Sequence, residues 1–334
     1  MRAAVMTRFN ESWELKDLPD PRPAEGQVLI RVEASGMCGT DVHVHRGQLP
    51  FVQPPFVLGH EPVGTIVEVG AGVTALRVGD RVGVSWMQKG CGRCHACQER
   101  RPYCESPQSW TNLGGANSEL MLAWAEGCTL VPAGVRSEDA APLFCAGYTV
   151  ASGLRAARPR PGDRVAVLGI GGLGHLAIQY AKALGFQVVA LTGSEGKRKD
   201  ALAMGADDVA VAGAHAGKAL LAAGGADVIV STTNSAAQVN QAFTALRPEG
   251  RFVNLGALDG PIQLATFDLL FPPRQLLGGT QGERRDLVEI LDMLAAGKVK
   301  PAVETYPLDQ ANEVRDRLAA GKVRYRAVLQ HRQP

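Results

Sequence analysis

The pattern of apolar and polar positions changes once along the chain. In the first third, apolar residues come in short runs of period two. Val28, Ile30, Val32 and Ala34 fall on one face of a strand expected over residues 28–34, and similar Val/Ile-rich runs occupy 63–69 and 81–85 between glycines. This spacing predicts a compact, twisted β unit, a partial barrel. A helical pattern covers 140–157 and is closed by Pro159-Arg160-Pro161-Gly162. Beyond it, strand-like runs at 164–168, 187–192, 208–212, 227–231, 251–255 and 275–279 are interleaved with helical stretches at 173–184, 196–204 and 236–246. That alternation predicts a doubly wound parallel sheet of about six strands. A last β-like run spans Tyr325–Leu329.

The chain has 334 residues, which at roughly 150 residues per domain suggests two domains. Hydrophobic residues make up 46%, enough for a sizeable core. The 35 basic and 33 acidic residues leave a net charge of +2, and there is no basic stripe, so nothing points to nucleic acid. No apolar run approaches a membrane span, and the start Met1-Arg2-Ala3-Ala4-Val5 has no signal-peptide core, so a cytoplasmic protein without a membrane partner is expected. Seven cysteines in such a chain read as reduced thiols and metal ligands, not as a disulfide framework.

Residues 169–174 read Gly169-Ile170-Gly171-Gly172-Leu173-Gly174, between a strand-like run and a helical one. Gly169 allows the tight turn, Gly171 lets the backbone approach a pyrophosphate, and Gly174 allows close helix–strand packing. Gly172 and Leu173 complete the turn into the helix, whose N-terminal N–H groups favour an anion. The next strand ends in Thr192-Gly193-Ser194-Glu195-Gly196-Lys197-Arg198, with no carboxylate at the strand end itself. Ser194, Lys197 and Arg198 suit the 2′-phosphate of NADP. NAD is the second choice, with Glu195 turned toward the ribose.

Cys91, Cys94, Cys97 and Cys104 follow the spacing C-x2-C-x2-C-x6-C. Four soft ligands on one loop suit a structural zinc. A bacterial iron–sulfur signature has its fourth cysteine after three residues and then proline, whereas Glu105 follows Cys104 here. His95 is surplus to the set. Cys38, His60 and Cys145 remain as further candidate ligands, but spacing alone does not bring them together. Cys128 has no assigned role.

The chain resembles the zinc-dependent medium-chain alcohol dehydrogenase family. The resemblance rests on Cys38-Gly39-Thr40-Asp41-x-His43, on Gly59-His60-Glu61-x-x-Gly64, on the four-cysteine loop, on Cys145-Ala146-Gly147 and on the hexad 169–174, all in family order. Ser194–Arg198 with Cys145-Ala146-Gly147 is similar to the NADP-linked cinnamyl-alcohol-dehydrogenase-like branch. Pro62 departs from the glycine common at that position. The resemblance implies a β-rich GroES-like catalytic domain (1–149 with 295–334, zinc lobe 91–104) and an inserted Rossmann domain (150–294). It implies a catalytic zinc on Cys38, His60 and Cys145, so two zinc ions per chain. Thr40 would bond the alcohol, His43 would pass its proton to solvent through the cofactor ribose, Asp41 would orient His60, and Glu61 would sit behind the metal and coordinate it transiently. Arg326 matches a family arginine that contacts the cofactor pyrophosphate; its other reading is an exposed strand-end cation. Trp86 would line the substrate pocket, or simply pack in the core. Cys145, where the polyol branch has glutamate, points to simple alcohols and aldehydes. A homo-oligomer, dimer or tetramer, is expected. The alternatives are a zinc-free quinone oxidoreductase of the same superfamily and a non-enzymatic zinc and nucleotide-binding redox module.

Overall fold

The computed structural model describes residues 1–99, 101–211 and 213–331. The chain divides into two compact units, Met1–Cys145 with the chain from Pro301 onward, and Ala146–Lys300.

The first unit is organised by the strand Gln27–Met37. One edge of this strand pairs with Glu61–Val69. The other edge is shared, Leu120–Trp124 taking residues 27–31 and Arg326–Gln330 taking residues 34–37. Arg81–Val84 and Cys128–Leu130 extend the sheet on one side, and Val303–Pro307 on the other. Strands from both ends of the chain thus share one sheet. With partners on both edges and packing on both faces, only Arg31 and Glu33 of this strand are partly exposed.

The expected single face over 28–34 does not persist. Glu33 is an extra residue between the pairs Val32–Gly64 and Ala34–Val63, a bulge that reverses the parity of everything after it. Val32 and Met37, of opposite parity in the sequence, accordingly share one cluster with Met6 and Leu58, while Val28 and Ile30 pack nearer the start of the strand with Ile66, Val82 and Val84.

The second unit is a six-stranded parallel sheet in the order Asp208–Val211, Gln187–Thr192, Arg164–Leu168, Ala226–Ser231, Leu246–Asn254, Gln275–Gly278. Each expected strand is present; the expected end at Ala212 lies outside the described residues. Arg164–Leu168 is buried throughout, as a central parallel strand covered on both faces must be. The helices Gly174–Ala183, Arg198–Ala203 and Ala236–Phe243 fall where expected. The helices Ala216–Ala222 and Arg284–Ala295 were not anticipated, although the latter carries a legible period in buried Leu287, Ile290 and Leu291.

The helix expected across 140–157 is broken. A turn of helix at Ser137–Ala140 passes into a 3-10 turn at Ala141–Phe144. Cys145 then leaves helical geometry (φ −125°, ψ −74°), and Ala146–Ala156 resumes as α-helix. No helix among the described residues is long and apolar enough to cross a membrane.

Candidate active site

The short helix Gly39–His45 begins at Cys38, in extended conformation. Asp41 closes this N-terminus: one carboxylate oxygen accepts the Cys38 backbone N–H at 2.8 Å and the other accepts the Gly59 N–H at 3.2 Å. The second oxygen also faces His60 Nδ1 at 3.6 Å. One buried carboxylate therefore ties the Cys38 turn to the His60 loop. It also leaves the far ring nitrogen of His60 for a ligand, the arrangement in which a carboxylate fixes the tautomer of a metal-binding imidazole.

Cys145, delivered by the helix break, brings its sulfur to 4.0 Å from Cys38 Sγ. That is far too long for a disulfide, whose sulfurs lie about 2.05 Å apart. It is close to the roughly 3.8 Å between two thiolates sharing one tetrahedral zinc with bonds of about 2.3 Å. Cys38, His60, Glu61 and Cys145 each offer a ligand atom within 4.8 Å of the others. Neither ring nitrogen of buried His60 has a close hydrogen-bond partner. The titration pattern fits the same reading. The neighbouring Cys145 sulfur, opposed by burial and helped by His60, holds the Cys38 thiol well below its usual range. Cys38 and burial push Cys145 well above it. Burial pulls His60 down, but the Asp41 carboxylate and Cys38 outweigh it and raise it. Without a cation between them, two such thiols cannot both ionise; a divalent metal removes the conflict.

Glu61 is fully buried, and burial lifts its carboxyl to about 7 against the opposing pull of Arg326. Arg326 Nη2 lies 2.5 Å from both Glu61 oxygens and 3.4 Å from the Met37 carbonyl, itself only 4% exposed. This placement overturns one of the two expectations for Arg326, that of an exposed strand-end cation. Its Nη2 is paired with Glu61. Gly36 makes room for the carboxylate, since a Cβ there would overlap Glu61 Oε2. Thr40 Oγ1 lies 3.8 Å from Cys38 Sγ. His43, one helical turn further on, is half-buried, and its Nδ1 lies 2.6 Å from Gln48 Oε1. Trp86 packs its ring edge-on at 5.1 Å from the His60 ring, and Trp110, which sequence reasoning did not single out, stands 5.4 Å from it. The two indoles form an aromatic wall beside the cluster.

The four-cysteine loop folds back on itself. Cys91 and Cys97 sulfurs lie 4.0 Å apart, Cys94 and Cys104 sulfurs 3.9 Å, and all four ligand atoms lie within 4.8 Å of each other. The backbone N–H of Cys91 points at Cys104 Sγ and that of Cys94 at Cys91 Sγ. Backbone N–H groups of Arg93 and Cys94 lower the Cys91 thiol to about 6. At Cys97 the pull of the Gly92 N–H is overcome by burial and the other sulfurs, which raise it. This donor set fits a closed zinc site. His95 stands outside it, exposed and 3.3 Å from Glu99. Cys97→Ser is expected to remove one zinc per chain and lower the melting temperature, because the loop has little core of its own. Unchanged zinc content and melting would contradict this.

In the second unit, Gly169 adopts φ +90°, and a Cβ on Gly174 would overlap the Gly169 carbonyl. A Cβ on Gly171 would meet nothing within 4 Å. The backbone is thus open where a phosphate approaches and close-packed where helix meets strand. The first three carbonyls of the turn each face a side-chain polar group. Thr232 Oγ1 donates to Gly169 O at 2.9 Å, Lys197 Nζ to Ile170 O at 2.7 Å, and His175 Nδ1 faces Gly171 O at 3.1 Å. A cavity of about 310 Å³ opens beside the turn, lined among others by Thr192, Ser194, Lys197 and Gln238, with no acidic side chain among the described lining residues. Of the cations assigned to a 2′-phosphate, only Lys197 lines this cavity. Arg198 instead binds Glu195 at 2.6 Å and the Val209 carbonyl at 2.8 Å, so Glu195 is turned to Arg198 as well. This donor set fits a dinucleotide phosphate.

A β unit with a buried thiol–imidazole cluster, joined in one chain to a Rossmann sheet, defines a zinc- and nicotinamide-dependent oxidoreductase. Residues 24–133 match the alcohol dehydrogenase GroES-like domain and 172–296 the zinc-binding dehydrogenase domain. An alcohol dehydrogenase of Geobacillus stearothermophilus is 39% identical over 336 residues, covering 98% of this chain and 99% of that protein. Cinnamyl alcohol dehydrogenase 2 of Rauvolfia serpentina is 32% identical, covering 91% of this chain and 88% of its own. The crystal structure of the alcohol dehydrogenase from Aeropyrum pernix superposes with a TM-score of 0.90 at 31% identity, covering 99% of this chain and 100% of that one. The chain belongs to the zinc-dependent medium-chain alcohol dehydrogenase family.

Proposed function

We propose that this protein is a two-zinc, NADP(H)-preferring alcohol dehydrogenase and aldehyde reductase, exchanging hydride with simple primary or secondary alcohols. The observation that carries the reading is the convergence of Cys38, His60 and Cys145, distant in sequence, on one buried point with Glu61 behind it. When bound, zinc supplies Lewis acidity at the substrate oxygen and the nicotinamide exchanges the hydride. Cys38, His60 and Cys145 hold the catalytic ion. Thr40, beside Cys38, takes the hydroxyl proton, and His43, one turn along the same helix, hands it to solvent. Asp41 fixes His60, and the indoles of Trp86 and Trp110 keep water from the apolar part of the substrate. Cys91, Cys94, Cys97 and Cys104 hold the structural ion.

Lys197, Ser194 and the lack of an acidic side chain among the described lining residues support NADP. The measurement is oxidation of NADPH and NADH, side by side, with an aromatic aldehyde. Loss of NADPH is expected. Lys197→Ala should raise KM for NADPH about ten- to a hundredfold, the worth of a hydrogen bond to a charged group, and leave NADH little changed. Turnover of NADH alone would overturn the preference. The open edge strand Gln275–Gly278, beside Phe267 and Phe271 (each 71% exposed), supports assembly of more than one chain.

A further inference from the structure

The helix Gly39–His45 carries Cys38, Thr40, Asp41 and His43 in or beside its first turn and a half, and its other end has its own built geometry. Gly47 adopts φ +70°, and its N–H donates to the Val44 carbonyl at 2.9 Å. The next N–H, that of Gln48, reaches back to the His43 carbonyl at 3.0 Å. These two bonds, with a left-handed glycine between them, make the helix end that returns the chain over its last turn. The return places the Gln48 side chain over the His43 ring, with Oε1 2.6 Å from Nδ1. Gln48 therefore holds His43 twice, through the backbone and through the side chain.

An amide oxygen has no hydrogen to give, so Nδ1 must carry the proton of this bond. A neutral imidazole has one N–H, and with Nδ1 protonated, Nε2 is left bare as an acceptor. We propose that Gln48 is a positioning residue for proton transfer, holding His43 in the tautomer whose Nε2 takes up the proton released in alcohol oxidation. This rests on the reading of His43 as the proton carrier. In that step the substrate gives its hydride to the cofactor and its hydroxyl proton, through Thr40, to Nε2. The resulting imidazolium loses one proton to water, and the bond to Gln48 restores the starting tautomer. Without Gln48 the ring would spend part of its time with Nε2 protonated and unable to accept.

The test uses the zinc-loaded enzyme with 15N-labelled histidine. The wild-type spectrum is expected to show His43 protonated at Nδ1 and bare at Nε2. Gln48→Leu should move the population toward Nε2–H and lower kcat for alcohol oxidation about fivefold, the worth of one net hydrogen bond, with the alcohol KM unchanged. Gln48→Glu keeps an acceptor on Nδ1 and should restore both the tautomer and kcat relative to the leucine variant. In a His43→Ala background, Gln48→Leu should have no further effect. An unchanged His43 tautomer in Gln48→Leu, or an equal loss of kcat without His43, would overturn the proposal. Full kcat in His43→Ala alone would remove the relay itself. The two failures are distinguishable, because the 15N spectrum reads the tautomer without turnover.

Discussion

Cys145→Ala is expected to abolish turnover, lowering kcat/KM by about three powers of ten or more, while zinc content falls by one ion per chain. The size follows from what a Lewis-acid ion contributes at a reacting oxygen, several kcal/mol, with about 1.4 kcal/mol per tenfold in rate. The fold should survive. The side chain removed is small, and it lies where the backbone already leaves helical geometry between the 3-10 turn Ala141–Phe144 and the helix Ala146–Ala156. Zinc analysis, circular dichroism and NADPH oxidation on one preparation check all three parts. A variant that keeps its full zinc and activity would remove Cys145 from the site.

Arg326→Met should be the most destabilising single change among those considered, by about 3–5 kcal/mol, the cost of stranding one partner of a buried ion pair. Arg326 and Glu61 are 4% and 0% exposed, so the carboxylate left behind has no water to turn to. The loss should appear as a lower urea midpoint of the zinc-loaded protein. The double variant Glu61→Gln/Arg326→Met should recover much of it, since no charge is then stranded. A single variant as stable as the parent would mean that Glu61 finds another partner.

Much of this was legible from residue types. The glycine hexad sits where a parallel strand meets a helix, because its glycines answer local backbone demands. The four cysteines are close in sequence, so their spacing alone brought them to one loop. Cys38, His60 and Cys145 were another matter. Nothing in local pattern says that residues 107 apart meet, and only the family resemblance placed them together. The break at Cys145 was hidden because Ala, Leu and Phe on either side read as helix. The bulge at Glu33 was hidden because one inserted residue leaves no compositional mark yet moves Ala34 off the face of Val32. Arg326 and Glu61 were each singled out, but not as a pair, since their contact depends on the last strand lying beside Gln27–Met37. Gln48 carried no signal at all; its place over His43 follows from the left-handed Gly47.

The Asp41 carboxylate has a consequence for how metal is gained and lost. It anchors the Cys38 turn and the His60 loop through backbone N–H groups, which need no ion, so the cage for the buried metal stands before the metal arrives. Among the described residues of the loop at 91–104 no buried carboxylate plays this part; the backbone N–H groups of Cys91 and Cys94 go to the cysteine sulfurs themselves. Its four-residue helix His95–Gln98 buries nothing, and three of its four sulfur-bearing residues are partly open to solvent. Under a chelator the two sites should therefore part company. The exposed loop should lose its ion with its order and become the first place a protease cuts. The buried cage should empty while keeping its shape, and should refill from free zinc without refolding.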